Sequence, residues 1–334
     1  MELTYIIAGQ LRREYVLPPV GRPLLDAPGG NLLYTAAGAA LWTSGIGLLG
    51  RVGEDYPRDW LRDLDRRGFD ARGLHVIPGA LDLRLFLAYG DGFTPQRTNP
   101  VSHFARRQMS FPKALLGYQP PDESSTGISK IAPNSPRLTD IPEDYLFAKS
   151  LHLCALDYMT QSRLIGAFKL GSVTAITLSP SPSYMIPRHT DQLRPLVQGL
   201  TAFIPSEEEL RALFWGRTRD LWEMAEAVGS FGCEFVVVKR GAKGQLLLDV
   251  VGRKRWEVPA YSARIADPTG AGDVFCGGFM AGYRRSFDPL EAVLYGNVAA
   301  SLSLEGSGAF YVLEVLPGLA AARVESLRGL VRRI

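Results

Sequence analysis

Ala266-Asp267-Pro268-Thr269-Gly270-Ala271-Gly272-Asp273 runs directly into Val274-Phe275-Cys276-Gly277-Gly278-Phe279-Met280-Ala281-Gly282-Tyr283, and the rest of the chain is organised around this stretch. Pro268 lacks an N–H and biases Asp267 towards an extended conformation, so a strand or loop ends here. Gly270 and Gly272 can take backbone angles closed to other residues and, having no Cβ, let a ligand approach the main chain. Asp273 falls in the first turn of a helix whose apolar residues Val274, Phe275, Phe279, Met280 and Tyr283 recur at helical spacing.

A glycine turn feeding a helix N-terminus gathers unpaired N–H groups and the positive end of the helix dipole at one place, suited to a phosphate or a developing oxyanion. A carboxylate there repels a polyanion in the ground state, so Asp273 reads as a base that takes a proton from a nucleophile. The same letters also fit an acidic cap after a tight turn. The whole octet, followed by an apolar helix near the C-terminus, resembles the second signature of the PfkB (ribokinase-like) carbohydrate kinase family.

Composition sets the outer bounds. The 334 residues, 46% of them hydrophobic, suffice for a large core, and the net charge of +3 is spread over the sequence in only short clusters. That balance suits a small anionic ligand and gives no sign of nucleic acid. Cys154, Cys233 and Cys276 are isolated and lack metal-ligand spacing, as expected of reduced cysteines in a cytoplasmic protein. The first strand-like run, Leu3 to Gly9, has no signal-peptide pattern, and no apolar segment is long enough to span a membrane.

Strands alternating with helices imply a parallel, doubly wound α/β sheet covered on both faces. The resemblance implies a three-layer αβα sandwich with a mainly parallel doubly wound sheet, a single ribokinase-like kinase domain over 1–334. It adds a small β lid from about 9–28 and 81–110. Leu81 to Tyr89 alternates as a strand closed by an Asp91-Gly92 turn. The Pro/Ser-rich insertion at about 117–145 cannot sustain a helix or a central strand and reads as a surface excursion. Gly45, Gly47 and Gly50 match a dinucleotide GxGxxG by letter, but a helix precedes them and Ile46 to Val52 looks like a strand, so that reading fails. Gly29-Gly30 with Gly50-Arg51-Val52-Gly53-Glu54-Asp55 instead resembles the first PfkB signature, with Tyr34 where the family has Asn.

The resemblance then distributes roles. Asp273 is the base, and the N–H groups of Gly270, Ala271 and Gly272 form the anion hole. Arg12, Glu14, Gly30, Asn31 and Tyr34 meet the acceptor. Arg12 and Glu14 equally fit solvated edge-strand charges. Ser206, Lys239, Gly241, Ala242, Gly244, Thr269 and Asn297 meet the nucleotide. Glu209 orders the water shell of Mg2+, although Ser206 and Glu209 also spell a capping box. Asp267, Thr269, Ser303, Gly306 and Gly308 surround a monovalent cation such as K+. The implied reaction is transfer of the ATP γ-phosphoryl group to a hydroxyl of a sugar or sugar-like alcohol. A nucleoside or cyclitol is the alternative acceptor, and a kinase-like binding or regulatory protein without turnover the rival class. A homodimer through the lid belongs to the same expectation.

Overall fold

A computed structural model describes residues 3–90, 93–121 and 128–334. In chain order its strands are β1 (Tyr5–Ala8), β2 (Arg12–Leu17), β3 (Leu24–Gly29), β4 (Ile46–Gly53), β5 (Asp70–Ile77), β6 (Arg84–Tyr89), β7 (Pro95–Gln96), β8 (Ser150–Leu153), β9 (Ala175–Leu178), β10 (Ala202–Phe203), β11 (Phe235–Lys239), β12 (Gln245–Asp249), β13 (Lys254–Val258) and β14 (Arg332–Arg333). The helices are α1 (Asn31–Ala40), α2 (Arg58–Arg66), α3 (Pro100–Arg106), α4 (Tyr158–Lys169), α5 (Thr190–Val197), α6 (Glu207–Leu213), α7 (Leu221–Gly229), α8 (Ala271–Ser286), α9 (Pro289–Ser303) and α10 (Leu319–Arg328).

Among the described residues the main sheet has ten strands in the order β14-β13-β12-β11-β10-β9-β8-β1-β4-β5. From β5 to β11 all pairs are parallel, with Tyr5 of β1 opposite both Ile46 and Ser150; β12, β13 and β14 add an antiparallel end. Side chains of a strand alternate between faces, and each face needs its own cover. Ile7, Leu48 and Val237 therefore join one core under α1, α8 and α9, while Ile6, Leu49, Val236 and Val238 join a second core under α4, α5 and α7. The small residues of α1 and α8 have a steric cause. A Cβ on Gly38 would sit 2.2 Å from the Val274 carbonyl oxygen, and one on Gly277 would sit 1.9 Å from that of Thr35. Only glycine lets these two helices approach so closely, and their contact fixes the N-terminus of α8 beside that of α1.

A second sheet, ordered β3-β2-β6-β7, forms the lid. One face of β2 and β6, Tyr15, Leu17, Phe86 and Ala88, is covered by Phe104 of α3 with Leu115 and Tyr118. The other face carries Glu14, Leu85, Leu87 and Tyr89 into a cavity. Because β2 lies between β3 and β6, Arg12 and Glu14 are not edge-strand charges.

The stretch expected to be a surface excursion is only partly one. Its described residues form no α-helix or strand, but single turns at Leu138–Asp140 and Glu143–Phe147 direct side chains inward. Arg51 grips the buried Asp140 carboxylate at 2.5 and 2.8 Å, and Tyr145 is fully buried with its hydroxyl donating to the Asp70 carbonyl at 2.8 Å. The Asp91-Gly92 turn lies outside the described residues. Among the described residues no helix is long and apolar enough to cross a membrane.

Candidate active site

Gly270 caps α8 in the left-handed conformation, φ 71° and ψ 2°, and its carbonyl accepts from the N–H groups of Asp273 and Val274, both at 2.9 Å. A Cβ there would lie 2.2 Å from the ring of Tyr34. Gly272, by contrast, has no left-handed φ, and the nearest atom to an added Cβ is Lys239 Nζ at 3.7 Å. The backbone demand for glycine thus falls on Gly270 and not on Gly272, because the turn ends one residue before the helix begins. Asp267 accepts from the N–H of Thr269 at 2.9 Å, and its Oδ2 is buried without a partner.

Asp273 stands in the first turn of α8 and lines the cavity. Burial raises its pKa to about 6, and Lys239 pulls against that rise. Lys239, at the end of β11, places Nζ 3.5 Å from Ser179 Oγ and 3.7 Å from Cys276 Sγ. Burial disfavours the ammonium, but Cys276, Glu209 and Asp273 outweigh it and raise the pKa, so Lys239 stays charged. Together the ammonium and the positive end of α8 make a strongly anion-seeking spot around one carboxylate.

Ser206 and Glu209 form the capping box: Glu209 N–H donates to Ser206 Oγ at 3.1 Å, and Ser206 N–H donates to Glu209 Oε2 at 2.6 Å. No group of three or more His, Cys, Asp and Glu side chains among the described residues could hold a metal ion. The orphan Asp267 Oδ2 is the feature that fits a monovalent cation, and the Leu304 carbonyl joins its loop to the end of α9 by accepting from Ala266 and Asp267 N–H groups at 2.7 and 3.1 Å. Ser303 precedes that carbonyl and its hydroxyl donates to Ala300 at 2.8 Å; Gly306 and Gly308 follow in the same loop.

A cavity of about 810 Å³ brings the acceptor-side residues Arg12, Glu14, Gly30, Asn31 and Tyr34 together with Thr269, Gly270 and Asp273. Much of the acceptor-side polarity is already consumed. Glu14, 1% exposed, accepts from Gly30 N–H and from the Tyr34 hydroxyl, each at 2.8 Å, and burial lifts its pKa to about 7 against those two bonds. Asn31 accepts from Gln10 N–H at 2.7 Å and donates to the Ala155 carbonyl at 2.9 Å.

Other residues expected at the site stand apart from this cavity. Gly241, Ala242 and Gly244 form the turn between β11 and β12, where a Cβ on Gly244 would meet the Val258 carbonyl oxygen at 2.0 Å. Asn297 donates to Gln245 Oε1 and to the Pro259 carbonyl, and accepts from Tyr261 N–H, at 2.7 to 3.0 Å. It pins α9 to the segment after β13, and its side-chain amide is engaged within the protein. Tyr89 and Asn134 are among the cavity residues that went unread in the sequence. Tyr89, whose hydroxyl meets Thr269 Oγ1 at 2.9 Å, joins lid to turn; its inward place in the Leu85-Leu87-Tyr89 alternation is the signal that could have found it. Asn134 lines the cavity from the proline-rich stretch and carries no such pattern.

Residues 148–315, half of the chain, match the model of the pfkB family carbohydrate kinases. The chain belongs to the pfkB carbohydrate kinase family. The matched span contains the Gly270–Asp273 turn, Lys239 and the Ser206–Glu209 cap. A cytidine kinase of Thermococcus kodakarensis is 29% identical over 289 residues, covering 86% of this chain and 91% of that protein. Among solved structures, a fructokinase from Vibrio cholerae bound to fructose, ADP and calcium superposes with a TM-score of 0.69 at 20% identity, covering 97% of this chain and 99% of the other. A nucleoside kinase from Burkholderia thailandensis in complex with inosine also gives 0.69, at 16% identity, covering 98% and 99%. These two establish the ribokinase-like fold.

Proposed function

We propose that this kinase transfers the γ-phosphoryl group of ATP to a hydroxyl of a sugar or nucleoside seated in the cavity of about 810 Å³. The observation that carries the reading is Asp273. Among the described residues its carboxylate has neither a hydrogen bond nor an ion pair within 4.0 Å, although it sits where the dipole of α8 and Lys239 would otherwise favour phosphate. A carboxylate left available there is suited to accept the proton of the attacking hydroxyl. The hydroxyl oxygen then forms its bond to the γ-phosphorus while the bond to the ADP oxygen breaks. The N–H groups of Gly270, Ala271 and Gly272 and the Lys239 ammonium stabilise the charge that passes through this spot.

Magnesium, bound to the nucleotide, supplies charge neutralisation, and Glu209 would orient its water shell. Asp267 would hold a monovalent cation, with Thr269, Ser303, Gly306 and Gly308 around it. Tyr89 and Thr269 tie the lid to the turn, so lid position and phosphate site are adjusted together. Because residues Pro100 to Tyr118 of the same chain cover the outer face of β2 and β6, a homodimer through that face is not part of this reading.

The test is ADP release with a panel of sugars, cyclitols and nucleosides at saturating Mg-ATP. Acceptor-dependent release with at least one sugar or nucleoside is expected. ATP binding without acceptor-dependent release from any of them would replace the kinase reading by that of a binding protein.

A further inference from the structure

Among the described residues, one buried side-chain donor in the acceptor cavity lacks a partner. Asn134 is 6% exposed, lines the same cavity as Asp273, and makes no hydrogen bond through Nδ2. A relay fixes which way its amide faces. Arg12 can only donate, and its Nη2 lies 2.7 Å from Gln10 Oε1; Gln10 is thereby turned so that Nε2 donates to Asn134 Oδ1 at 3.3 Å. Nδ2 is then the donor end of the relay. Buried donors rarely stay unpaired, since each has given up its hydrogen bond to water.

The rest of the cavity narrows what that donor meets. Glu14, Asn31 and Tyr34 are bonded to one another or to backbone, which leaves them a reduced capacity for further hydroxyls. Leu85 and Leu87 on the lid, with Ile131 and Pro133 next to Asn134, give the wall an apolar strip. A lone pentose, carrying hydroxyls around its ring, would leave this strip wetted. A flat heterocycle attached to the sugar covers the strip and offers a carbonyl or ring nitrogen. We propose that Asn134 is a specificity residue that donates Nδ2–H to the base of a nucleoside acceptor, an inference that rests on the kinase reading of this cavity.

Asn134→Leu removes the Nδ2 donor together with the Oδ1 that accepts from Gln10, at similar size, whereas Asn134→Asp keeps that acceptor and turns the donor into a second one. Steady-state kinetics with cytidine and with D-ribose, at saturating ATP, test the idea. Both variants should raise the KM for cytidine about 10- to 100-fold. Turnover of D-ribose and the KM for ATP should stay at wild-type values, which a merely structural role would not allow. An unchanged cytidine KM overturns the proposal, as does an equal loss for cytidine and ribose. Should neither variant fold, wild-type discrimination decides, and a kcat/KM for cytidine no higher than for D-ribose overturns it. A wild type that turns over ribose but not cytidine sinks this inference and leaves the kinase reading standing; one that turns over no acceptor sinks both.

Discussion

At the N-terminus of α8 the charged groups stand without close ion pairs, whereas on the lid side they are consumed by one another. Asp273 and Lys239 influence each other from beyond ion-pair distance, and Asp267 keeps a buried oxygen without a donor. Glu14 and Tyr34 are bonded together at 2.8 Å with Gly30 as the third member. Polar groups held ready at a cost in stability are what a reacting centre requires, because they need not reorganise when charge develops. Polar groups that satisfy each other build a wall. The difference separates residues expected to set the rate from residues expected to set the shape of the site.

The sharpest way to break that contrast is Asp273→Asn. It keeps the size but removes the base, so kcat should fall by about 10²- to 10⁴-fold. ATP should bind as well or better, since a repulsion with the γ-phosphate is gone. The pH profile carries a second signature. With a pKa raised to about 6, Asp273 must lose its proton to act, so wild-type kcat/KM should fall as pH drops through that region. Turnover within a few-fold of wild type, measured beside ATP affinity and melting temperature, would reduce Asp273 to an acidic side chain near the helix dipole and remove the contrast.

The same contrast explains what could be read from the letters. The α8 turn was legible because its left-handed glycine and its carboxylate lie within eight consecutive residues, and the alternating apolar strands with small-residue helices marked the layers. The lid side was not legible in the same way. Glu14 and Tyr34 are twenty residues apart, and nothing in either letter says that one hydroxyl would saturate the other. Asn297 shows the same limit: its letter in a small-residue helix says nothing of the three bonds it makes to Gln245, Pro259 and Tyr261. In the described part of the proline-rich stretch, the lack of α-helix and strand does not mean absence of burial, as Tyr145, Asp140 and Asn134 show.

Within the α8 turn the two glycines can be set against each other. Gly270→Ala forces a side chain into φ 71° and against the Tyr34 ring at 2.2 Å, so it should destabilise the fold by about 2–5 kcal/mol. Gly272→Ala meets only the end of Lys239 at 3.7 Å and should melt near the wild-type temperature. Thermal melts of the pair decide this, and equal melting temperatures would show that the turn tolerates a Cβ at both. If Gly272→Ala melts normally yet loses ATP affinity, the loss belongs to phosphate approaching the backbone and not to strain.

The smallest effect is expected where the lid-side wall is most self-contained, at Glu14→Gln. The amide oxygen can still accept from Gly30 N–H, and its NH2 can donate to the Tyr34 oxygen, so the fold should survive at neutral pH. What changes is the pH dependence of stability. Burial lifts the folded-state pKa of Glu14 to about 7, above its ordinary value of 4.5, so between these values the folded protein binds the extra proton. Its contribution is therefore complete below the unfolded pKa and is lost as pH rises through about 7, with a slope of at most about 1.4 kcal/mol per pH unit. Glu14→Gln should flatten that decline between pH 5 and 8, leaving the variant no less stable than wild type at pH 8. Denaturant melts across this range measure it directly. A wild-type stability curve parallel to that of the variant would mean that Glu14 titrates like an open carboxylate, available to acceptor hydroxyls, and the lid side would then share the unsatisfied character of the α8 turn.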